Sequence, residues 1–135
     1  MPAVTAMTAK SVEDRRRAER LGRLAEALCR LSLRLRGYRI LASRCRTPAG
    51  EIDIVARRGD LIAIVEVKAR ADLGQARASV SAAQWRRLQR AAGLFMGARP
   101  RLARCALRFD LMAVPRGRFG PRWPSHLPGA WSPKD

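Results

Sequence analysis

The chain has 135 residues, of which 47% are hydrophobic, so it is long enough for one domain with a buried core and too apolar for wholesale disorder. Its 28 lysine and arginine residues outnumber 11 acidic residues, and the net charge of +17 indicates a polyanionic partner, nucleic acid rather than an anionic membrane surface. An arginine-rich proteome of high genomic G+C content is the alternative explanation for part of this excess.

Cysteine usage and hydropathy indicate a reducing compartment. Cys29, Cys45 and Cys105 are far apart and form no CxxC pair, which argues against a disulfide framework or a zinc site. The sequence contains no run of about 18 apolar residues, so no transmembrane helix is predicted. It also has no apolar segment before Glu13 of the kind that a signal peptide needs. We therefore expect a cytoplasmic protein. Its single histidine, His126, has no evident catalytic partner in the sequence.

The first predicted element is a long helix. Residues 1–12 are expected to form a disordered leader, and a helix is predicted from Glu13 to Arg36, with Gly37 ending it. Five leucines recur at intervals of three and four and form one apolar stripe: Leu21, Leu24, Leu28, Leu31 and Leu35. A second, weaker apolar stripe consists of Gly22, Ala25, Cys29 and Leu33, so we expect other elements to cover the helix on both sides.

The remaining elements complete the order α-β-β-β-α-β, which is typical of an α/β domain with a mixed central sheet. We expect an α/β domain over residues 13–114 and an irregular, proline-rich tail over residues 115–135. The predicted strands are Tyr38–Ala42, Gly50–Arg57, Leu61–Arg70 and Leu107–Val114, a second helix spans Ser81–Gly97, and loops lie at Pro48–Gly50 and around Gly74.

The turn between the second and third strands sets their register. Gly59 and Asp60 suit a two-residue type II′ turn, which pairs the flanking arginine and leucine. That register places Asp53 opposite Glu66, with Cβ atoms roughly 4.5–5.5 Å apart. A turn one residue longer would place these two carboxylates on opposite faces of the sheet. The pairing of Asp53 with Glu66 therefore depends on the turn.

Four charged residues interrupt the apolar pattern of this hairpin, and buried charges are costly unless they are paired or bind something. Asp53 and Glu66 can supply two oxygen ligands to Mg²⁺, and the carbonyl of Val67 can add a third. Lys68 lies on the same face as Glu66 and can orient or activate a water. Glu51 is expected opposite Lys68, where an ion pair between the two is at least as compatible with the sequence as metal binding by Glu51. Cross-strand ion pairing on a solvated face is the alternative for the whole set.

Five short motifs, in this order, resemble the YraN-like family of bacterial proteins. That family resembles the PD-(D/E)xK nuclease superfamily and archaeal Holliday junction resolvases. The motifs lie between Gly22 and Val114: Gly22–Glu26, Gly37–Leu41, Gly50–Asp53, Val65–Lys68 and Arg108–Asp110.

The resemblance implies a restriction-endonuclease-like fold and a nuclease site. By it, Asp53, Glu66 and Lys68 correspond to the catalytic core, and Glu26 to an acid that some members carry on the first helix near the metal. It further implies a Mg²⁺ or Mn²⁺ cofactor and a DNA substrate, including branched DNA. Resolvases of this kind act as homodimers, although no interface pattern is visible in the chain.

The second helix carries the candidate nucleic-acid contacts. Arg86, Arg87 and Arg90 lie opposite its apolar face, where they can bind phosphates or form a solvated surface. Ser81 and Gln84 are spaced as a capping box. Gln84 also stands where the resembled family usually has a lysine, which removes one candidate phosphate contact.

Three further residues have structural and functional interpretations. Asp110 lies inside an apolar strand, where a structural hydrogen bond is favoured. Trp123 and Trp131 can stack on bases, although packing against the domain is the commoner use.

We interpret the chain as a metal-dependent endonuclease. The alternatives are a nucleic-acid-binding protein with a vestigial metal site, and an RNA- or ribosome-associated basic protein that needs no metal.

Overall fold

A five-stranded mixed sheet lies at the centre of the computed structural model, which describes residues 8–134. Helices cover it on both faces. In chain order the elements are α1 (Ala9–Leu35), β1 (Arg39–Thr47), β2 (Gly50–Arg58), β3 (Leu61–Lys68), α2 (Leu73–Ala78), α3 (Ala82–Gly97), a short 3₁₀ helix (Pro100–Leu102), β4 (Ala106–Ala113), β5 (Arg116–Gly117), β6 (Gly120–Pro121) and β7 (Ser125–Trp131).

The strands lie in the order β1-β2-β3-β4-β7. All neighbours are antiparallel except β3 and β4, which are parallel. A parallel pair needs a crossover, and α2 and α3 supply it between these two strands. The expected α/β fold, a restriction-endonuclease-like domain with a mixed sheet flanked by helices, is confirmed. An additional short helix, α2, occupies the segment around Gly74, where a loop is predicted.

Each face of the sheet has its own apolar cluster. Helix α3 packs on one face with Trp85, Leu88, Ala91, Ala92 and Phe95. The predicted capping box is confirmed, since Ser81 accepts from the amide of Gln84 and the Gln84 side chain accepts from the amide of Ser81. Helix α1 packs on the other face, against Ile54, Ala56, Ala63, Val65 and Met112. The sheet is thus buried on both sides, which explains its nearly continuous apolar strands.

The face of α1 that packs on the sheet is the weaker of the two apolar stripes, not the row of leucines. Ala25, Cys29 and Leu33 are buried, whereas Leu24, Leu31 and Leu35 are 53%, 44% and 71% exposed. The small side chains allow the helix to approach the sheet closely, and the leucines lie further round its axis. Apolar periodicity marks a candidate face, but shape complementarity decides which face packs.

Helix α1 begins earlier than predicted. It starts at Ala9, where the hydroxyl of Thr8 caps it by accepting from the amide of Ser11. The predicted leader therefore joins the helix from residue 9 onward, and residues 1–7 lie outside the described part of the chain. Across residues 8–134, no helix combines the length and apolarity needed to cross a membrane.

The hairpin register is confirmed. Arg58 pairs with Leu61 and Ile54 with Val65. Gly59 has a φ of +60°, while Asp60 has an ordinary negative φ, as a type II′ turn requires. This register directs Asp53 toward Glu66.

The C-terminal segment is more regular than predicted. Strand β7 pairs with β4, and Trp131 stacks on Trp85 with ring centroids 6.0 Å apart. The expectation of an irregular tail is wrong because a proline is tolerated in an edge strand, and Pro128 lies in one. Trp131 therefore has the packing role, whereas Trp123 is half-exposed.

Candidate metal centre and nucleic-acid interface

Asp53 and Glu66 come together where β2 separates from β3. The last paired residues of these strands are Ile54 and Val65. Beyond them, Oδ2 of Asp53 accepts a hydrogen bond of 2.8 Å from the backbone amide of Val67. The carboxyl groups of Asp53 and Glu66 lie close enough for each to affect the pKa of the other. The predicted pairing of the two acids is therefore present, held by the backbone of β3.

Lys68 completes this group. Its Nζ lies 3.8 Å from Oε1 of Glu66, and the two side chains are only 23% and 22% exposed. The ammonium group is thus within reach of whatever the two acids bind. The structure brings together three of the predicted catalytic residues on adjoining strands: Asp53, Glu66 and Lys68.

The two acids hold protons more tightly than ordinary carboxyl groups. Burial raises the pKa of Asp53, although the hydrogen bond from the Val67 amide opposes this. Burial, and then the charge of Asp53, raise the pKa of Glu66 to about 8, while Lys68 opposes the increase. Two carboxylates in one poorly hydrated place repel each other when both are ionised. A divalent cation between them would remove that repulsion.

The donor set fits Mg²⁺ or Mn²⁺. Mg²⁺ is usually held in proteins by one or two carboxylates, with waters and substrate phosphates filling its other positions. Asp53 and Glu66 supply two such groups. Ligation by the carbonyl of Val67 stays a prediction. Within residues 8–134, no cluster of three or more histidine, cysteine, aspartate or glutamate side chains is suited to hold a metal.

Glu26 lies near the site but is engaged elsewhere. Its Oε2 accepts a hydrogen bond of 2.7 Å from Nε of Arg44 in β1, and its side chain is 15% exposed. The charge of Glu26 contributes to the raised pKa of Asp53, so the two carboxylates are close enough to interact. Glu26 is therefore a neighbour of the two acids with a cationic partner of its own. Arg44 is a residue that the sequence analysis missed.

Glu51 has a different ion-pair partner from the one expected. It pairs across β1 and β2 with Arg46, at 3.8 Å, whereas Lys68 pairs with Glu66. The expected contact between Glu51 and Lys68 is wrong because regular pairing of β2 with β3 ends before Glu51 is reached.

A cavity of about 180 Å³ opens from the two strands toward α3. Glu66 and Arg87 both line it, and a Cβ atom added at Gly50 would lie 3.4 Å from Cδ of Arg87. Gln84 lines it as well, but its side-chain oxygen already accepts from Ser81. The complete lining is Gly50, Glu51, Glu66, Gln84, Arg87, Leu88 and Ala91.

The three arginines predicted to bind nucleic acid differ in placement. All of them are exposed on α3. Only Arg87 lines the cavity that contains Glu66, whereas Arg86 and Arg90 do not. Arg87 is therefore the member of this set that can reach a phosphate held beside Glu66.

Asp110 belongs to a separate, buried network. It is fully buried and accepts hydrogen bonds from Arg108, from Nε2 of His126 at 2.8 Å and from the amide of Gly129 at 3.0 Å. Burial alone would raise the pKa of Asp110, but these hydrogen bonds lower it below its ordinary value. Arg108 also donates to the hydroxyl of Tyr38 at 2.6 Å. The network ties β7 to β4, which confirms the structural interpretation of Asp110 and gives His126 a partner that its sequence context did not reveal.

Comparison with known proteins supports one family. The family model described as "Uncharacterised protein family UPF0102" matches residues 25–114, which include Glu26, Asp53, Glu66 and Lys68. A UPF0102 protein of Chelativorans sp. (strain BNC1) is 52% identical over 122 residues, or 90% of this chain and 94% of the relative. A UPF0102 protein of Parvibaculum lavamentivorans is 51% identical over 117 residues, or 86% and 84%. One of Paramagnetospirillum magneticum is 49% identical over 118 residues, or 84% and 88%.

Proposed function

The chain belongs to the uncharacterised protein family UPF0102, and we propose that it is a metal-dependent endonuclease that hydrolyses phosphodiester bonds in DNA. The observation that carries this proposal is the placement of three side chains side by side: Asp53 bound to the Val67 amide, Glu66 one residue before it, and Lys68 3.8 Å from Glu66. Two partly buried acids and a lysine on adjoining strands are a costly arrangement for a protein that binds nothing there.

Asp53 and Glu66 would hold the cation, Mg²⁺ or Mn²⁺. Such an ion supplies Lewis-acid polarisation of a phosphoryl oxygen and lowers the pKa of a bound water. Lys68 lies beside these acids and would orient the attacking water or offset charge that develops on the phosphate. Arg87, on the far wall of the cavity, would hold a substrate phosphate against Glu66. The Val67 amide fixes the position of Asp53 by its hydrogen bond.

The proposed substrate is DNA, because a net charge of +17 attracts a polyanion and because the nuclease superfamily is inferred from the family. A branched or structured DNA follows only from the resemblance to resolvases. We place this activity in the cytoplasm, the reducing compartment that three free cysteines suit.

One observation favours a second candidate, a nucleic-acid-binding protein with a vestigial metal site. Glu26, the acid expected near the metal, is bound to Arg44 at 2.7 Å. If that contact persists when nucleic acid and Mg²⁺ are present, two carboxylates alone hold the cation. The acid that some members of the resembled superfamily carry near the metal would then be missing from the site, which favours a protein that binds nucleic acid without useful turnover.

A cleavage assay separates these two functions. Plasmid, linear, single-stranded and four-way-junction DNA are incubated with the protein and Mg²⁺, Mn²⁺ or EDTA, beside the Asp53→Asn variant. The endonuclease proposal predicts products with a divalent cation only, and none from the variant. Cleavage that survives EDTA or the substitution would exclude the assigned mechanism. Binding without cleavage in every metal would favour the second candidate.

A further inference from the structure

A second cavity, of about 420 Å³, lies between α1 and β1, and we call it the α1–β1 groove. It is open to solvent and is lined by Arg23, Glu26, Arg30, Ser43 and Arg44. Three guanidinium groups and one carboxylate give this lining a formal charge of +2 when all four are ionised. The groove therefore has the electrostatic character of an anion site, and none of its arginines was among the expected nucleic-acid contacts.

Arg44 connects this groove to the two acids. In the register of β1 and β2 it lies between the pairs Ser43–Ile54 and Cys45–Ile52, which is the position across from Asp53. The hydrogen bond to Glu26 raises the pKa of Arg44, and the charges of Glu26 and Asp53 add to this increase. The groove is therefore adjacent to the candidate metal centre. It lies beside β1, whereas Glu66 lies on β3, the neighbour of β2 on its other side.

The backbone of Arg44 is unusual for its residue type. It has a φ of +50°, and no other non-glycine residue in the described part of the chain has a positive φ. The left-handed region is unfavourable for a side chain with a Cβ atom and is occupied where the surroundings impose it, often at functional positions. The contact that accompanies it here is the 2.7 Å hydrogen bond from Nε of Arg44 to Glu26.

That hydrogen bond uses only the Nε–H donor of the guanidinium group. Within residues 8–134, the terminal nitrogens of Arg44 form no hydrogen bond to protein atoms. Arg23 and Arg30 likewise have no hydrogen bond or ion pair in the described part of the chain. Glu26 thus holds Arg44 in one orientation, while the fork of donors that suits a phosphate stays available.

We propose that the α1–β1 groove binds a phosphodiester of the nucleic-acid backbone, next to the one held at the two acids. The contacts are Arg44, Arg30 and Arg23. Glu26 acts as a positioning residue for Arg44. This inference rests on the proposed function for its ligand, and it extends the contact surface from Arg87 on one side of the acids to the groove on the other.

The test is binding in EDTA, where neither metal nor cleavage contributes. Fluorescence anisotropy measures the affinity for a labelled DNA duplex, and separately for an RNA duplex, across a salt series. The main variant is the double substitution Glu26→Gln with Arg44→Gln. It removes one negative and one positive charge, so the net charge stays at +17. We expect the slope of log K against log salt to become shallower by about 0.9, the contribution of one phosphate contact.

A single-charge comparison keeps the proposal testable if the double variant is poorly folded. Arg30→Gln is compared with Arg104→Gln, which removes the same charge from an exposed residue just before β4, at the end of the sheet away from Lys68. The slope should change more for Arg30→Gln than for Arg104→Gln. Circular dichroism spectra of each variant establish that it is folded.

The outcomes are distinct from those of the cleavage assay. A native slope in the double variant, together with equal effects of Arg30→Gln and Arg104→Gln, would overturn the groove proposal even if the protein cleaves DNA. A shallower salt slope in the variants, together with no cleavage by the native protein in the cleavage assay, would support the groove and count against the endonuclease. A loss seen with DNA but not RNA, or the reverse, identifies which backbone the groove binds.

Discussion

The backbone amide of Val67 donates to Oδ2 of Asp53 across 2.8 Å. At this point β2 no longer pairs with β3, and the carboxylate takes the amide hydrogen that a strand partner would otherwise accept. Asp53 is therefore held by main chain rather than by another flexible side chain. If Asp53 holds a cation, as we propose, its carboxylate is already oriented before the cation arrives.

Replacing Asp53 with asparagine should weaken metal binding without unfolding the protein. The amide oxygen can still accept from Val67, but the negative charge that attracts the cation is gone. Isothermal titration with Mn²⁺ should show binding to the native protein and at least tenfold weaker binding to the variant. Asp14→Asn, on the exposed surface of α1, is the control that removes one acid without touching the site.

Replacing Lys68 should impair cleavage more than binding. A general acid, base or electrostatic group at the reacting centre contributes typically about 10²- to 10⁴-fold to the rate. We expect Lys68→Gln to lower the single-turnover cleavage rate by about 10²-fold or more. Arg70→Gln removes an equal charge from an exposed residue two positions on and should lower the rate far less. Equal rate losses in the two variants would show that Lys68 has no specific role in the reaction.

The stability of the metal-free protein should fall as pH rises through the titration of Glu66. An ordinary glutamate has a pKa of 4.5, whereas burial and Asp53 raise that of Glu66 to about 8. Between these values the folded protein binds more protons than the unfolded chain, so the free energy of unfolding decreases with increasing pH. Above about pH 8 Glu66 is ionised in the folded protein as well, and the loss of stability does not increase further.

Glu66→Gln removes that cost because glutamine does not ionise. In EDTA, the variant should have the higher Tm at pH 9, and its advantage should shrink as the pH is lowered toward 4.5. Thermal unfolding followed by circular dichroism at several pH values measures this difference. Glu19→Gln, an exposed glutamate in α1, should show no such trend. A difference that is constant with pH would contradict the assigned cause.

Disrupting the Asp110 network should destabilise the fold and leave the two acids in place. Asp110 is fully buried and neutralises Arg108, so Asp110→Asn leaves a guanidinium group without its charge partner. Removing one member of a buried pair costs about 3 kcal/mol. Urea denaturation should show a loss of this order, with Asp60→Asn in the exposed turn as the control. A loss below about 1 kcal/mol would mean that the network contributes little.

The packing face of α1 can be tested by paired substitutions. Leu33 is buried against the sheet, so Leu33→Ala should lower the free energy of unfolding by about 2–5 kcal/mol. Leu31 is 44% exposed, and Leu31→Ala should cost less than about 1 kcal/mol. Equal costs at the two positions would mean that the leucine stripe is covered in solution.

Local chemistry was enough to predict the hairpin and the second helix. Gly59 and Asp60 define a two-residue turn, and the side-chain period of two then dictates which residues share a face. Asp53 and Glu66 could be paired from that alone. Ser81 and Gln84 likewise marked the start of α3, since a capping box is an interaction within four residues.

The resemblance to a family added what local chemistry could not, the chemical meaning of Asp53, Glu66 and Lys68. It also singled out Glu26. It did not reveal Arg44, because a left-handed backbone in a strand leaves no pattern in neighbouring residues. The same holds for His126, whose partner Asp110 is sixteen positions away in the chain.

The sequence by itself determined the register of the hairpin, which places Asp53 opposite Glu66, and the start of α3. These depend on interactions between residues that are near in the chain or share a short turn. Tertiary structure decided which face of α1 is buried, that the last strand joins the sheet, and that Glu26 binds Arg44. Each depends on the shape of surfaces that meet only after folding, where close packing selects small residues such as Ala25 over a longer row of leucines.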